Sequence, residues 1–207
     1  MTAHGVSRRE LFKRAGLYGA AIVAIPELSR VLTFRRELFA QAPAPALTGA
    51  ERATLAAICA RIIPTDNNGP GAAEAHAADY IDHALSGALS DSRQAYADGL
   101  AAIDLASQQK FQATFIKLTP SQQDAALTAV QDTPFFNLVR GHTLQGTFCD
   151  PIYGGNANFV GWDLIGYPGV RLNVTAAEQN MSTPATRNHK SAYDYVMFSK
   201  TETMNGH

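Results

Sequence analysis

Residues 48–64 read TGAERATLAAICARIIP, and their order decides the fold class. Thr48 and Glu51 have the spacing of a capping box. The Thr hydroxyl can accept the Glu51 amide while the Glu carboxylate returns to the Thr48 amide, which satisfies two donors that a helix start leaves open. Behind the box, Leu55, Ile58, Cys59 and Ile62 fall at i, i+3, i+4 and i+7, one face of a helix. Pro64 ends the pattern, because a proline disfavours helical backbone in the residue before it.

Working outward toward the C-terminus, Thr65 to Gly71 (TDNNGPG) is a dense turn cluster. Ala72 to Ser86 resumes the helical period with Tyr80, Ile81, Ala84 and Leu85 facing inward. Asp91 to Leu118 reads as one helix or two, since Gly99 is a weak interior residue; Tyr96, Leu100, Ile103, Phe111, Phe115 and Leu118 form its apolar face. A second cap, Thr119-Pro120-Ser121-Gln122, opens a helix toward Val130. Thr133-Pro134 opens another, from Phe135 toward Phe148. No alternating strand pattern interrupts 48–148, so the sequence predicts an all-α fold, a small bundle of about five or six helices.

Composition changes at Gly141. Residues 141–169 hold seven of the 16 glycines together with Phe148, Tyr153, Phe159, Trp162 and Tyr167. Glycine permits close backbone approach and aromatics bring rigid apolar area, so this stretch reads as a long, ordered, irregular loop. The expected organisation is a leader over 1–46, the helical bundle over 47–140, the Gly/aromatic loop of the same domain over 141–169, and a polar tail over 170–207. The tail is either disordered or ordered by a partner.

In the other direction lies a basic leader. Residues 1–40 carry seven Lys/Arg against three Glu, whereas the whole chain of 207 residues has a net charge of −1. That balance excludes a whole-chain nucleic-acid binder. Ser7-Arg8-Arg9-Glu10-Leu11-Phe12-Lys13 resembles a twin-arginine export signal, with Leu and Phe in swapped order; Arg8, Arg9, Phe12 and Lys13 are its signal residues. The apolar stretch Ala15 to Ile25, closed by Pro26, is too short to span a bilayer core. The expected partner is the twin-arginine translocon, and the expected location the periplasm. Ala40-Gln41-Ala42 and Ala42-Pro43-Ala44 both look like cleavage sites, while Leu28 to Phe39 is an amphipathic stretch that could survive as a helix; cleavage stays open.

A search for chemistry returns little. The chain has no G-x-S-x-G, H-E-x-x-H, Walker loop or C-x-x-C-H. His76, Asp79 and His83 are each about one turn apart and could offer three metal donors on one helix face, against the alternative of a solvated polar face. His142 could act as a general base, but no nucleophile or orienting acid accompanies it. Cys59 and Cys149 are a candidate disulfide; equally, each could be a buried free thiol, or Cys149 could bridge to a partner chain.

The strings GTFCDPIYGGN (146–156) and GWDLIGYPG (161–169) resemble the D-P-x-Y-G-G-N … G-W … I-G-Y-P-G signature of the gluconate 2-dehydrogenase subunit 3 family. The stretch from Leu47 to Gly87 is also similar to this family. The resemblance implies a non-catalytic small subunit, carrying no cofactor, of a membrane-associated sugar or polyol dehydrogenase. The large partner would be an FAD-containing flavoprotein of the glucose–methanol–choline type that oxidises the sugar hydroxyl. A cytochrome c subunit would relay electrons, with haem or an iron–sulfur centre on partner subunits. The twin-arginine signal would carry the signal-less flavoprotein out as a hitchhiker. On this reading Asp150, Pro151, Tyr153, Gly154, Gly155, Asn156, Trp162, Gly166, Tyr167, Pro168 and Gly169 form a docking surface anchored by Tyr153, Trp162 and Tyr167. Capping of the chain's own bundle is the competing role for the loop. A stand-alone periplasmic binding or scaffold protein, and a metalloenzyme using His76, Asp79 and His83, are the alternatives.

Overall fold

The computed structural model describes residues 45–179 and 186–197. The leader, with Arg8, Arg9, Phe12, Lys13 and the cleavage motifs, lies outside the described residues. Six α-helices and no strands are found among the described residues, so the chain is all-α. Helix α1 spans Gly49–Ile62, α2 Ala77–Leu85, α3 Arg93–Phe111, α4 Pro120–Thr128, α5 Pro134–Phe148 and α6 Val160–Leu164.

The box that starts α1 forms as expected, Thr48 Oγ1 accepting the Glu51 amide at 3.3 Å and Glu51 Oε2 accepting the Thr48 amide at 2.7 Å. Arg93, the first residue of α3, donates to both Glu51 oxygens at 2.9 and 3.0 Å and to the Ala46 carbonyl at 2.7 Å. One helix start is thereby tied to another. Leu55, Ile58 and Cys59 on α1 are buried, and α1 contacts α2, α3, α4 and α5. It is the central helix because its apolar face is the one surrounded. Ile81, Leu85, Tyr96, Leu100, Ile103, Phe115, Leu127 and Val139 complete the core. Burial of each such side chain contributes about 1.5–3 kcal/mol before entropy is counted.

Two boundaries differ from the periodicity, and a third from the shift in composition. Helix α2 starts at Ala77 rather than Ala72 because His76 adopts left-handed backbone at φ 57°, and the Ala72 amide is bonded to the Ile63 carbonyl instead. Helix α3 is continuous through Gly99, over which the Phe135 ring lies, and Gln112 ends it in the left-handed region at φ 62°. Helix α5 runs through Gly141 and Gly146 to Phe148, so the irregular region begins at Cys149 and not where the composition shifts.

Candidate functional site

Beyond α5 the chain folds back on that helix's own C-terminal end. The residue that makes the closure is Asn156, fully buried. Its amide donates to the Gly146 carbonyl at 2.7 Å, and its Nδ2 donates to the Cys149 carbonyl at 2.9 Å. Its Oδ1 accepts the Gly161 amide at 2.8 Å and the Trp162 amide at 3.3 Å. One side chain thus satisfies the end of α5 and the start of α6 together. A helix end buried without such partners would carry orphaned backbone groups.

Trp162 is likewise buried, and its indole N–H donates to the Phe148 carbonyl at 3.0 Å. Tyr167 meets the Trp162 ring edge-on at 4.8 Å between centroids, and Phe159 tilts against it at 5.3 Å. Trp162, expected as an anchor of the docking surface, and Asn156, expected as part of that surface, thus both face inward. Both are committed to their own fold, and Gly155, buried against the Gly146 carbonyl, is with them. The capping role accounts for the inward half of the signature.

The outward half is different. Ile152, Tyr153, Ile165 and Tyr167 are exposed, Tyr153 to 55% and Ile165 to 58%. Gly154 and Gly166 turn the chain on this side with positive φ, and Pro151 starts the short turn that carries Tyr153. Sequence reasoning missed Ile152 and Ile165, because an isoleucine in a glycine-rich loop gives no periodic signal.

It also missed what orders the tail. Asp150 Oδ1 accepts the Ile152 amide at 3.1 Å and the Ser191 hydroxyl at 2.6 Å, while Oδ2 accepts the Ala192 amide at 3.0 Å. The Asn188 amide donates to the Pro168 carbonyl at 2.9 Å, and the Val170 amide to the Lys190 carbonyl at 3.1 Å. Gly169, at φ 97°, leaves room for the Asn188 side chain, which a Cβ there would meet at 2.0 Å. Asp163 pairs with Arg187 at 2.9 Å and with His189 at 2.8 Å, and the His189 ring stacks on Phe159 at 5.2 Å. Residues 186–197 are thus ordered by the chain itself. The readable signal was Ser191-x-x-Asp194, which forms a capping box.

The remaining candidates resolve plainly. Cys59 and Cys149 are not joined to each other and are free thiols, one of the alternatives that the sequence left open. Cys59 faces Thr143 Oγ1 at 3.3 Å, and burial pushes its pKa up to about 11, so it is an inert thiol at neutral pH. Cys149 is half-buried, with its sulfur directed to the Gly146 carbonyl at 3.9 Å, and burial raises its pKa as well. His76 precedes α2 in left-handed backbone, and its Nδ1 lies 3.4 Å from Asp79 Oδ2, while the other Asp79 oxygen is paired with Arg52. No group of three His, Cys, Asp or Glu residues that could hold a metal ion occurs among the described residues.

His142 is buried, and its Nδ1 shares a 2.9 Å hydrogen bond with the hydroxyl of fully buried Tyr96. Burial lowers its pKa below the ordinary histidine value. The unfolded chain therefore takes up the proton first as pH falls. The stability tied to neutral His142 is complete above the unfolded value near pH 6.5 and is lost as pH falls through it toward the folded value. Thermal unfolding followed from about pH 7.5 down to about 5.5 should show a falling midpoint, and His142→Gln should flatten that slope.

With this geometry in place, comparison with known families decides the assignment. The profile described as gluconate 2-dehydrogenase subunit 3 matches residues 49–169. The chain belongs to the gluconate 2-dehydrogenase subunit 3 family. The match runs from the first residue of α1 to the last glycine of the signature, so it takes in the bundle and the lobe built around Asn156 but not the segment 186–197. The family is named for one subunit of an oxidoreductase complex. No curated protein and no solved structure matches the chain.

Proposed function

We propose that this chain is the assembly and export subunit of an FAD-dependent sugar or polyol dehydrogenase, and that the redox chemistry is performed by a flavoprotein partner. The observation that carries the reading is where apolar surface lies. Among the described residues, nine of the 12 exposed large hydrophobic side chains fall within 150–197 and only Leu105, Ile116 and Leu144 lie on the bundle. Apolar surface gathered on one lobe of a family subunit is what a protein partner would cover. The outward edge of Ile152, Tyr153, Ile165 and Tyr167 is the proposed docking surface, held rigid by the inward half of the signature. The basic leader, with Arg8 and Arg9, supports the export half of the reading: the flavoprotein, lacking a signal of its own, crosses with this chain by the twin-arginine route. In the periplasm a cytochrome c subunit takes the electrons, and partner subunits hold the complex at the membrane. His142 supports a non-catalytic role, since its ring is sealed against Tyr96.

Cell fractionation tests this directly. With Arg8→Lys and Arg9→Lys together, both this chain and its FAD-containing partner should stay in the cytoplasm. Retention of this chain with normal export of the flavoprotein would overturn the escort role. Ile165→Asp should lower recovery of FAD with the tagged chain by about 10- to 100-fold, since a buried interface anchor is worth about 2 kcal/mol or more.

A further inference from the structure

The segment 186–197 lies outside the family match and adds no residue to the hydrophobic core, yet it is laced to the lobe along its length. We infer that this C-terminal strap is the second half of the docking face, and that its occupant is the dehydrogenase partner that covers Ile152 and Tyr153. The inference rests on the function proposed above and extends it to residues that the family signature does not contain.

Two observations carry it. The first is what the strap displays. Its anchoring groups, Arg187, Asn188, His189, Ser191 and the Ala192 amide, point into the lobe and take up Asp163, Pro168 and Asp150. Three of its large apolar side chains are exposed, Tyr193 to 44%, Val196 to 81% and Met197 to 69%, while Tyr195 is half-buried and donates its hydroxyl to the Val170 carbonyl at 2.7 Å. A segment that attaches itself mainly through polar groups and leaves most of its large apolar side chains in water has the reverse of the arrangement that would stabilise the free chain.

The second is continuity. Tyr153 and Tyr193 each directly follow a residue whose amide Asp150 holds, Ile152 at 3.1 Å and Ala192 at 3.0 Å, and Tyr193 raises the pKa of Tyr153. Tyr193 on the strap and Ile152–Tyr153 on the signature turn therefore make one edge. Asp150 clamps both sides of it, holding the Ile152 amide with one oxygen and the strap with both. The strap also supports the turn behind that edge. Phe159 sits in left-handed backbone at φ 62°, which is costly for a bulky residue, and His189 stacks on its ring.

The test uses the full chain, tagged after His207 and made in cells together with the dehydrogenase partner, with FAD absorbance of the eluate as the readout. Met197→Asp alters an exposed side chain and should leave far-UV circular dichroism and the unfolding temperature of the purified chain unchanged. It should lower the co-eluting FAD at least about tenfold. Asp150→Asn, which weakens the clamp, should lower it as well and should speed protease cleavage within 186–197. FAD recovery within about twofold of wild type for Met197→Asp overturns the inference. If Ile165→Asp abolishes recovery while Met197→Asp does not, the proposed function stands and the strap has no part in it. If the unaltered chain recovers no FAD at all, the function and the inference fall together. A homodimer of the purified chain that Met197→Asp splits would assign this edge to a second copy and overturn the inference too.

Discussion

Replacing Asn156 with alanine is expected to destabilise the closed lobe by about 4 kcal/mol. Three polar contacts of the side chain disappear at once: the Cys149 carbonyl loses a donor, and the Gly161 and Trp162 amides lose their acceptor. A buried polar group left without a partner costs about 1–3 kcal/mol. Alanine is also disfavoured by about 1–2 kcal/mol at the left-handed backbone that Asn156 adopts, φ 46° and ψ 44°. The lobe has little of the hydrophobic core behind it, so it should open locally before the bundle unfolds. Trp162 is the only tryptophan in the chain and is buried in that lobe, so its fluorescence reports the lobe alone. In Asn156→Ala the emission should shift to the red at urea concentrations where far-UV circular dichroism still shows an intact bundle. Asn156→Gly separates the contributions, since it relieves the backbone while leaving the same three groups unpartnered. Coincident fluorescence and dichroism transitions at the wild-type midpoint would show that Asn156 does not hold the lobe.

That single side chain also marks how far the sequence could be read. Helix α1 was legible in full because everything that starts and stops it lies within seventeen residues: a hydroxyl, a carboxylate, an apolar period and a proline. The caps at Thr119 and Thr133 were legible for the same reason. The start of α2 was not, because the alanine-rich run 72–78 favours helix at every position and only the long-range bond from the Ala72 amide to the Ile63 carbonyl selects the turn. The signature was visible as a constellation, yet its physics was not. Asn156 and Trp162 act on atoms of 146–149, and the loop between them has no period from which an inward or an outward direction could be read.

The direction of the aromatics is the clearest instance. Tyr153, Trp162 and Tyr167 have similar sequence surroundings, a glycine within a few residues and no alternation, and all three were expected to point outward. Of the three, Trp162 is the one that reaches back to α5, its indole N–H donating to the Phe148 carbonyl; Tyr153 is left on the outer edge and Tyr167 lies over the Trp162 ring. The strap escaped notice for a different reason. Its ties to Asp150 and Asp163 span 24 to 42 residues, and a capping box in an otherwise polar tail carries no sign of what it docks against.

Gly161→Ala should be as damaging as the loss of Asn156, by steric means alone. A Cβ at Gly161 would lie 1.8 Å from the Thr147 carbonyl oxygen and 2.8 Å from its carbon. Neither atom can give way, since Thr147 is buried in the last turn of α5 and its hydroxyl is bonded to the Thr143 carbonyl at 2.8 Å. Relief requires α6 to move off α5, which stretches the Gly161 and Trp162 amides away from Asn156 Oδ1 and uncovers the Trp162 ring. Overpacking of this kind costs about 1–3 kcal/mol even where neighbours can adjust, and here the neighbour is backbone, so a loss of about 3 kcal/mol or more is expected. Gly141→Ala is the control. It lies inside α5 with nothing within 4 Å of the added carbon, and it should stabilise the chain by about 0.5–1 kcal/mol through helix propensity. The same tryptophan emission that follows Asn156 separates the two glycines. Should Gly161→Ala keep a buried Trp162 and a wild-type urea midpoint while losing the flavoprotein, the glycine would be serving close approach of the partner's backbone, and the signature would be an interface on its inward half as well.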